Sequence, residues 1–191
     1  MAPGIRVMPN GKPLVGITMG SSSDARIMRG AAEALDAFGI PHEDSIVSAH
    51  RTPSRLAEYA RHAEESGFRA IIAGAGGAAH LPGMLASYTT IPVVGVPILV
   101  YADKGPAGRF SAFGGLDALL SISEMPSGSP VGAMGVNKAR SAGIYAAMIL
   151  ANEFGHIRES LRRYKHERHE AVVSESDEMV RTGLGSSGGA P

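Results

Sequence analysis

Three short segments in the first half of the chain hold the residues whose types and spacing could do chemistry. They are Met19–Asp24 (MGSSSD), Ser48–Pro53 (SAHRTP) and Ala73–Gly83 (AGAGGAAHLPG). Each follows an apolar run typical of a β-strand and precedes a pattern typical of a helix. Small residues, hydroxyls, an arginine and two histidines are concentrated in them. This combination predicts a polar pocket suited to phosphate on a rigid sheet, and so an enzyme acting on a small phosphorylated molecule.

The first segment places three hydroxyls and several backbone N–H groups at the start of a helix, where an anion is favoured. It matches neither a Walker loop nor a full dinucleotide fingerprint. Asp24 could cap the helix that follows or accept hydrogen bonds from ribose hydroxyls. Taken alone, the segment favours capping.

The second segment adds groups that capping does not require. Arg51 offers a planar fork that matches phosphate, and His50 can give and take a proton near neutral pH. Either residue alone is typical of a solvated surface. Their adjacency after a buried strand, with Ser48 beside them, favours a functional role.

The third segment runs through Gly and Ala only from Gly74 to Ala79, and His80 follows. A simple turn from strand to helix needs one or two glycines, so the tract predicts bare backbone against which a flat ligand or a small gas-like molecule can lie. His80 is either a second polar contact or a residue that starts the next helix.

Composition narrows the class of protein. The chain has 191 residues and no cysteine, which indicates one domain and excludes disulfides, thiolate metal sites and a cysteine nucleophile. Its formal net charge of zero gives no general attraction to nucleic acid or to an anionic membrane. Neither a signal peptide nor an apolar run of transmembrane length is evident, so we expect a cytoplasmic protein.

Strands and helices alternate along the chain. The pattern predicts strands at Leu14–Met19, Glu43–Val47, Arg69–Ala73, Pro92–Val96 and Val131–Val136. It predicts helices over Ala25–Phe38, from Pro53 to a C-cap at Gly67, and over Leu81–Tyr88, Ala139–Asn152 and Phe154–Val173. We therefore expect an α/β three-layer sandwich with a parallel, flavodoxin-like sheet and a C-terminal helix extension. Its carboxyl edge would bring the three segments together.

The expected domain organisation is simple. Residues 1–13 form an N-terminal tail, 14–173 form a single domain that includes the C-terminal helix, and 174–191 form a disordered tail. Ile98–Gly114 is long for a loop, and we interpret it as a lid or an interface element.

From Val15 to Ala151 the three motifs, with Ser121–Gly132 (SISEMPSGSPVG), resemble the PurE family of N5-carboxyaminoimidazole ribonucleotide mutases. The resemblance implies an isomerase of purine biosynthesis that uses no cofactor or metal. It also implies a homo-oligomer, commonly an octamer, with sites near subunit contacts and the C-terminal helix reaching across.

The resemblance further assigns roles to residues of this sequence. His50 would be the catalytic general acid and base, and Asp24 would bind the ribose hydroxyls. Arg51 and the serines would bind the phosphate, whereas the Gly/Ala tract would face the imidazole and the migrating CO2. The substrate-binding residues implied are Ser21, Ser23, Asp24, Ser48, Arg51, Gly76, Gly77, Ala78, His80 and Leu81.

The residues suit this chemistry. Moving a carboxylate from an exocyclic nitrogen to a ring carbon can proceed by decarboxylation and recarboxylation. One histidine can deliver the first proton and remove the second, while a tightly packed pocket retains the CO2.

One departure from the family keeps alternatives open. The stretch between Gly95–Pro97 and the pair Leu116–Asp117 is longer than the family pattern. It is compatible with a related CO2-dependent carboxylase of another nucleotide. A non-catalytic nucleotide-binding module is a third hypothesis.

Overall fold

The computed structural model describes residues 12–100 and 113–184, and these form one five-stranded parallel sheet with the order β2-β1-β3-β4-β5. The strands are β1 (Val15–Met19), β2 (His42–Ile46), β3 (Ala70–Gly76), β4 (Val93–Ile98) and β5 (Gly132–Ala133). The helices are α1 (Ala25–Ala37), α2 (Pro53–Ser66), α3 (Leu81–Ala86), α4 (Leu116–Ser123), α5 (Ala139–Leu150) and α6 (Gly155–Thr182). A short 3-10 turn, Ser22–Asp24, precedes α1. This strand order confirms the flavodoxin-like prediction.

The sheet is covered on both faces, as its near-continuous apolar strands require. One core packs β1 and β3 against α1, α5 and the start of α6, with Met28, Leu35 and Leu150 fully buried. The other core packs the opposite face against α2, α3 and α4, with Leu56, Leu85 and Ile122 fully buried. Burying each of these side chains contributes about 1.5–3 kcal/mol, so the sheet is a rigid platform for the loops at its edge.

Strand β3 is longer than the sequence indicates. It continues through Gly74 to Gly76, where it pairs with β4 as far as Ile98. A Cβ at Gly74 would overlap Met28 Sδ and lie 2.9 Å from Ile98 Cδ1. The first half of the Gly/Ala tract is therefore small so that the sheet can pack, and our interpretation of it as a ligand-facing loop is wrong for Gly74.

Helix α6 also exceeds its predicted length. Only Ile157 and Leu161 are buried, yet the helix continues to Thr182, nine residues beyond the predicted end at Val173. Residues 174–182 contain no glycine or proline, and Gly183 follows with a φ of 74°. The prediction of a disordered tail is thus wrong for 174–182, because nothing in that sequence stops a helix before Gly183.

One helix was not predicted, and some predictions concern residues that are not described. Helix α4 lies in a stretch for which we predicted no helix. Residues 1–11, 101–112 and 185–191, and with them most of the predicted lid Ile98–Gly114, lie outside the described residues. Within the part of the chain that is described, no helix is both long enough and apolar enough to cross a membrane.

Candidate active site

The three predicted segments meet at the carboxyl edge of the sheet. Met19, the last residue of β1, is in register with Ile46 of β2 and Gly74 of β3. β1 and β2 end at this register and β3 ends two residues further on, so the loops that follow them leave the sheet at the same edge. The loops after β1 and β3 lie at the point where the strand order reverses, which is where this class of sheet binds ligands.

The middle segment is hydrogen-bonded to both of its neighbours. Arg51 Nη2 donates to the Gly20 carbonyl oxygen at 2.7 Å, which joins the second segment to the first. His50 Nε2 lies 2.7 Å from His80 Nδ1, which joins the second segment to the third. Residues 30 positions apart in the sequence thus form one polar cluster.

The first segment is a reciprocal cap. The Ser21 hydroxyl accepts from the Ser23 amide at 3.4 Å, and the Ser21 amide donates to Asp24 Oδ2 at 3.1 Å. Asp24 makes no side-chain cap to α1 itself, so it caps the preceding turn rather than the long helix. Burial raises the pKa of Asp24, and bonds from Ser23 and Ser21 together with the charge of Arg51 partly oppose that rise.

Ser48 holds Arg51 in position. Its hydroxyl oxygen accepts from Arg51 Nε at 3.1 Å and from the Arg51 amide at 3.3 Å. Together with the bond to Gly20, this fixes two of the three guanidinium nitrogens. A guanidinium held in this way is pre-organised for an anion, because little side-chain freedom remains to be lost on binding.

The two histidines form a hydrogen-bonded pair. Their ring planes are nearly perpendicular, at 84°, and both side chains are open to solvent. A hydrogen bond between two ring nitrogens requires a proton on one and a lone pair on the other. One imidazole donates and the other accepts, which suits a site that both gives and takes a proton.

A cavity of about 390 Å³ lies over this cluster. Every predicted site residue except Gly77 lines it. Gly77 instead makes the turn after β3, with a φ of 61°. The other lining residues are Gly20, Ala49, Ala75, Ala79 and Val100. The first four lie in the three predicted segments, and Ala75 and Ala79 belong to the Gly/Ala tract that we expect to face the substrate. Val100 lies in the predicted lid Ile98–Gly114, and sequence reasoning did not assign it to the site, although the rule that β4 ends at the same edge could have found it.

A larger groove, of about 1130 Å³, lies between α1 and β2 and shares Gly20, Ser21, Ser48 and Arg51 with the cavity. Neither His50 nor His80 lines it. We therefore place the chemistry in the smaller cavity. Across the described ranges, no three His, Asp or Glu side chains converge in a way that could hold a metal ion.

Fold and site together define a flavodoxin-order α/β protein with a histidine pair and a fixed arginine at the β1/β3 switch point. Residues 14–171 match the model of the AIR carboxylase family, and the chain belongs to that family.

Proteins with similar sequences match this chain over about nine tenths of its length. The N5-carboxyaminoimidazole ribonucleotide mutase of Pyrococcus horikoshii is 48% identical over 176 residues, covering 92% of this chain and 94% of that protein. The mutase of the same name from Thermotoga maritima is 48% identical over 171 residues, covering 90% and 94%. The crystal structure of Treponema denticola PurE has a TM-score of 0.75 at 25% identity, covering 87% of this chain and 98% of that one.

Proposed function

We propose that this protein is an N5-carboxyaminoimidazole ribonucleotide mutase that forms the 4-carboxy isomer by decarboxylation and recarboxylation. The observation that carries the proposal is the hydrogen-bonded pair of His50 and His80 in a cavity that also holds a pre-organised Arg51. Relatives with that name, 48% identical over most of the chain, support it.

The phosphate of the ribonucleotide binds Arg51 with the hydroxyls of Ser21, Ser23 and Ser48. Arg51 supplies the positive charge, and among the described residues its Nη1 amino group has no hydrogen-bond partner. Asp24 accepts from the ribose hydroxyls. These contacts leave the base over the far side of the cavity, where Gly76, Ala78, His80 and the buried Leu81 line the wall.

The reaction needs one proton, moved twice. First the bond between the exocyclic nitrogen and the carboxylate carbon breaks. Its electron pair returns to the nitrogen, which takes a proton from His50, and CO2 is released into the cavity. The ring carbon C4 then attacks that CO2, and its proton returns to the His50 nitrogen that gave the first. Atoms and charge balance without a cofactor or metal.

His80 supports this cycle through the 2.7 Å contact. When His50 gives up its proton, the hydrogen bond to His80 orients the ring and favours one tautomer. When His50 takes the proton back, the same contact keeps the ring in that orientation. The arrangement keeps His50 ready for both steps in one orientation.

The test is to supply the purified protein with N5-carboxyaminoimidazole ribonucleotide and, separately, with aminoimidazole ribonucleotide and labelled bicarbonate. We expect the 4-carboxy product from the first at a much higher rate than labelled product from the second. Rapid labelled product from the second mixture would indicate a CO2-dependent carboxylase instead. Binding without turnover of either would indicate a binding module.

We also propose that the chain assembles as a homo-octamer in the cytoplasm. Helix α6 exposes Val172, Met179 and Val180, apolar side chains that a neighbouring subunit can cover. A phosphorylated intermediate does not cross membranes, so an enzyme of its synthesis works where the other steps occur. Cell fractionation tests the location, and the mass in solution tests the assembly.

A further inference from the structure

Asn137, between β5 and α5, has a backbone conformation that needs an explanation. Its φ is 58°, the only positive value at a non-glycine residue within the described ranges. That region costs an ordinary residue about 1–2 kcal/mol, and asparagine tolerates it better than most. Such a conformation persists only where the surroundings hold it.

Two hydrogen bonds do so, and both reach the end of β4. The Asn137 amide donates to the Pro97 carbonyl oxygen at 2.8 Å. The Asn137 side-chain Oδ1 accepts from the Leu99 amide at 3.0 Å. Strand β5 pairs with β4 only through Gly95, so the regular ladder has already ended at this point. Asn137 therefore makes the hydrogen bonds to Pro97 and Leu99 that β5 would make if it continued beside β4.

Val100 follows Leu99 in the chain and lines the cavity together with His50 and His80. Val100 packs on bare backbone: a Cβ at Gly76 would overlap Val100 Cγ2 and lie 2.8 Å from the Ile98 carbonyl oxygen. Its position is thus set from one side by Gly76 and from the other by the bond that fixes Leu99.

We propose that Asn137 is a positioning residue for the reaction: by fixing Leu99 it holds Val100 as the cavity wall that retains CO2 between the two half-reactions. This inference rests on the proposed function. Asn137 does not line the cavity, so it acts through the chain end that it holds.

The test compares three variants. Asn137→Gly keeps the positive φ at no steric cost but removes the acceptor, whereas Asn137→Asp keeps an acceptor oxygen. Val100→Ala shortens the wall directly. Val173→Ala is the matched control, because Val173 on α6 is 41% exposed and Val100 is 40% exposed. Thermal unfolding and light scattering confirm that each variant is folded and assembled.

The activity readout is the aminoimidazole ribonucleotide released per turnover, the product formed when CO2 escapes. We expect a rise of about tenfold for Asn137→Gly, the scale of losing one ordinary hydrogen bond. The KM should stay within about twofold, since the phosphate contacts are untouched. Val100→Ala should leak similarly, while Asn137→Asp and Val173→Ala should resemble the wild type.

The structural readout is amide hydrogen exchange at Leu99, which does not depend on activity. We expect it to be about tenfold faster in Asn137→Gly than in the wild type. Unchanged exchange, or a Val100→Ala variant that does not leak, would overturn the inference. If the wild type has no mutase activity, the proposed function fails and the exchange result alone decides whether Asn137 holds the strand end. If Asn137→Gly does not fold, Val100→Ala decides.

Discussion

At the scale of single residues, the site depends on side chains that hold other side chains. Ser48 fixes Arg51, and His80 faces His50 across the boundary between two loops. Most of these residues are open to solvent, so their positions come from hydrogen bonds rather than from packing. The functional importance of such a residue lies in the geometry that it imposes on its partner.

Replacing Ser48 with alanine tests this dependence. The change removes the acceptor of two Arg51 hydrogen bonds and leaves the bond to Gly20. We expect the KM for the ribonucleotide to rise about tenfold, as for the loss of a hydrogen bond to a charged group, with kcat within about twofold. Steady-state kinetics measures both.

Ser54→Ala is the control, because Ser54 is an exposed serine in the first turn of α2 and lies outside the cavity. It should behave as the wild type. A Ser48→Ala variant with a normal KM and a reduced kcat would show that Ser48 acts on the chemistry rather than on Arg51.

At the scale of elements, the start of β2 is fixed to α1 by a buried histidine. His42 is only 4% exposed, and its Nδ1 lies 2.8 Å from Asp44 Oδ1 while its Nε2 lies 3.4 Å from Asp36 Oδ1. The hydrogen bond to Asp44 raises the pKa of His42, against the opposing effect of burial, and the charges of Asp44 and Asp36 add to the rise.

The sign of the pH dependence follows from that direction. A histidine whose pKa is higher in the folded than in the unfolded state stabilises the fold fully below its unfolded value, about 6.5. That stabilisation is lost as the pH rises through the pKa of the histidine in the folded state. We expect His42→Asn to lower the free energy of unfolding by about 2 kcal/mol at pH 6, and by less at pH 9.

Denaturant titrations at the two pH values measure this difference. His169→Asn, at an exposed position on α6, should change neither. A deficit for His42→Asn that grows with pH would show that the ring contributes to stability in its neutral form.

Local pattern was sufficient to predict most elements but not their ends. Strand β3 and helix α6 both run past their predicted bounds, the first because Gly74 and Gly76 admit neighbouring side chains, the second because no residue stops it before Gly183. Helix α4 has only eight residues, which is short for a periodic signal. Contacts such as His50 with His80 and Asn137 with Leu99 join distant residues, and no spacing in the sequence encodes them.

At the scale of the whole molecule, the candidate site draws on the ends of β1, β2, β3 and β4, all at one edge of the sheet. The described lining of the cavity thus comes from one edge of one sheet. Helix α6 is different, because 28 residues span about 42 Å and only two of them are buried. We propose that its remaining length contacts neighbouring subunits.

The octamer prediction belongs to this scale. Light scattering should give a mass near eight times the 19.8 kDa of one chain. Val180→Glu should reduce that mass without lowering the stability of the subunit core, because Val180 is 85% exposed in the single chain. A monodisperse monomer in the unmodified protein would refute the assembly.

The central claim is that His50 moves the proton twice in the cavity at the sheet edge, and single-turnover conversion by His50→Asn tests it most directly. Asparagine fills a similar volume but cannot exchange a proton, so we expect a rate about a thousandfold lower with substrate binding retained. His169→Asn should convert at the wild-type rate. Formation of the 4-carboxy isomer by His50→Asn at the wild-type rate would contradict the account.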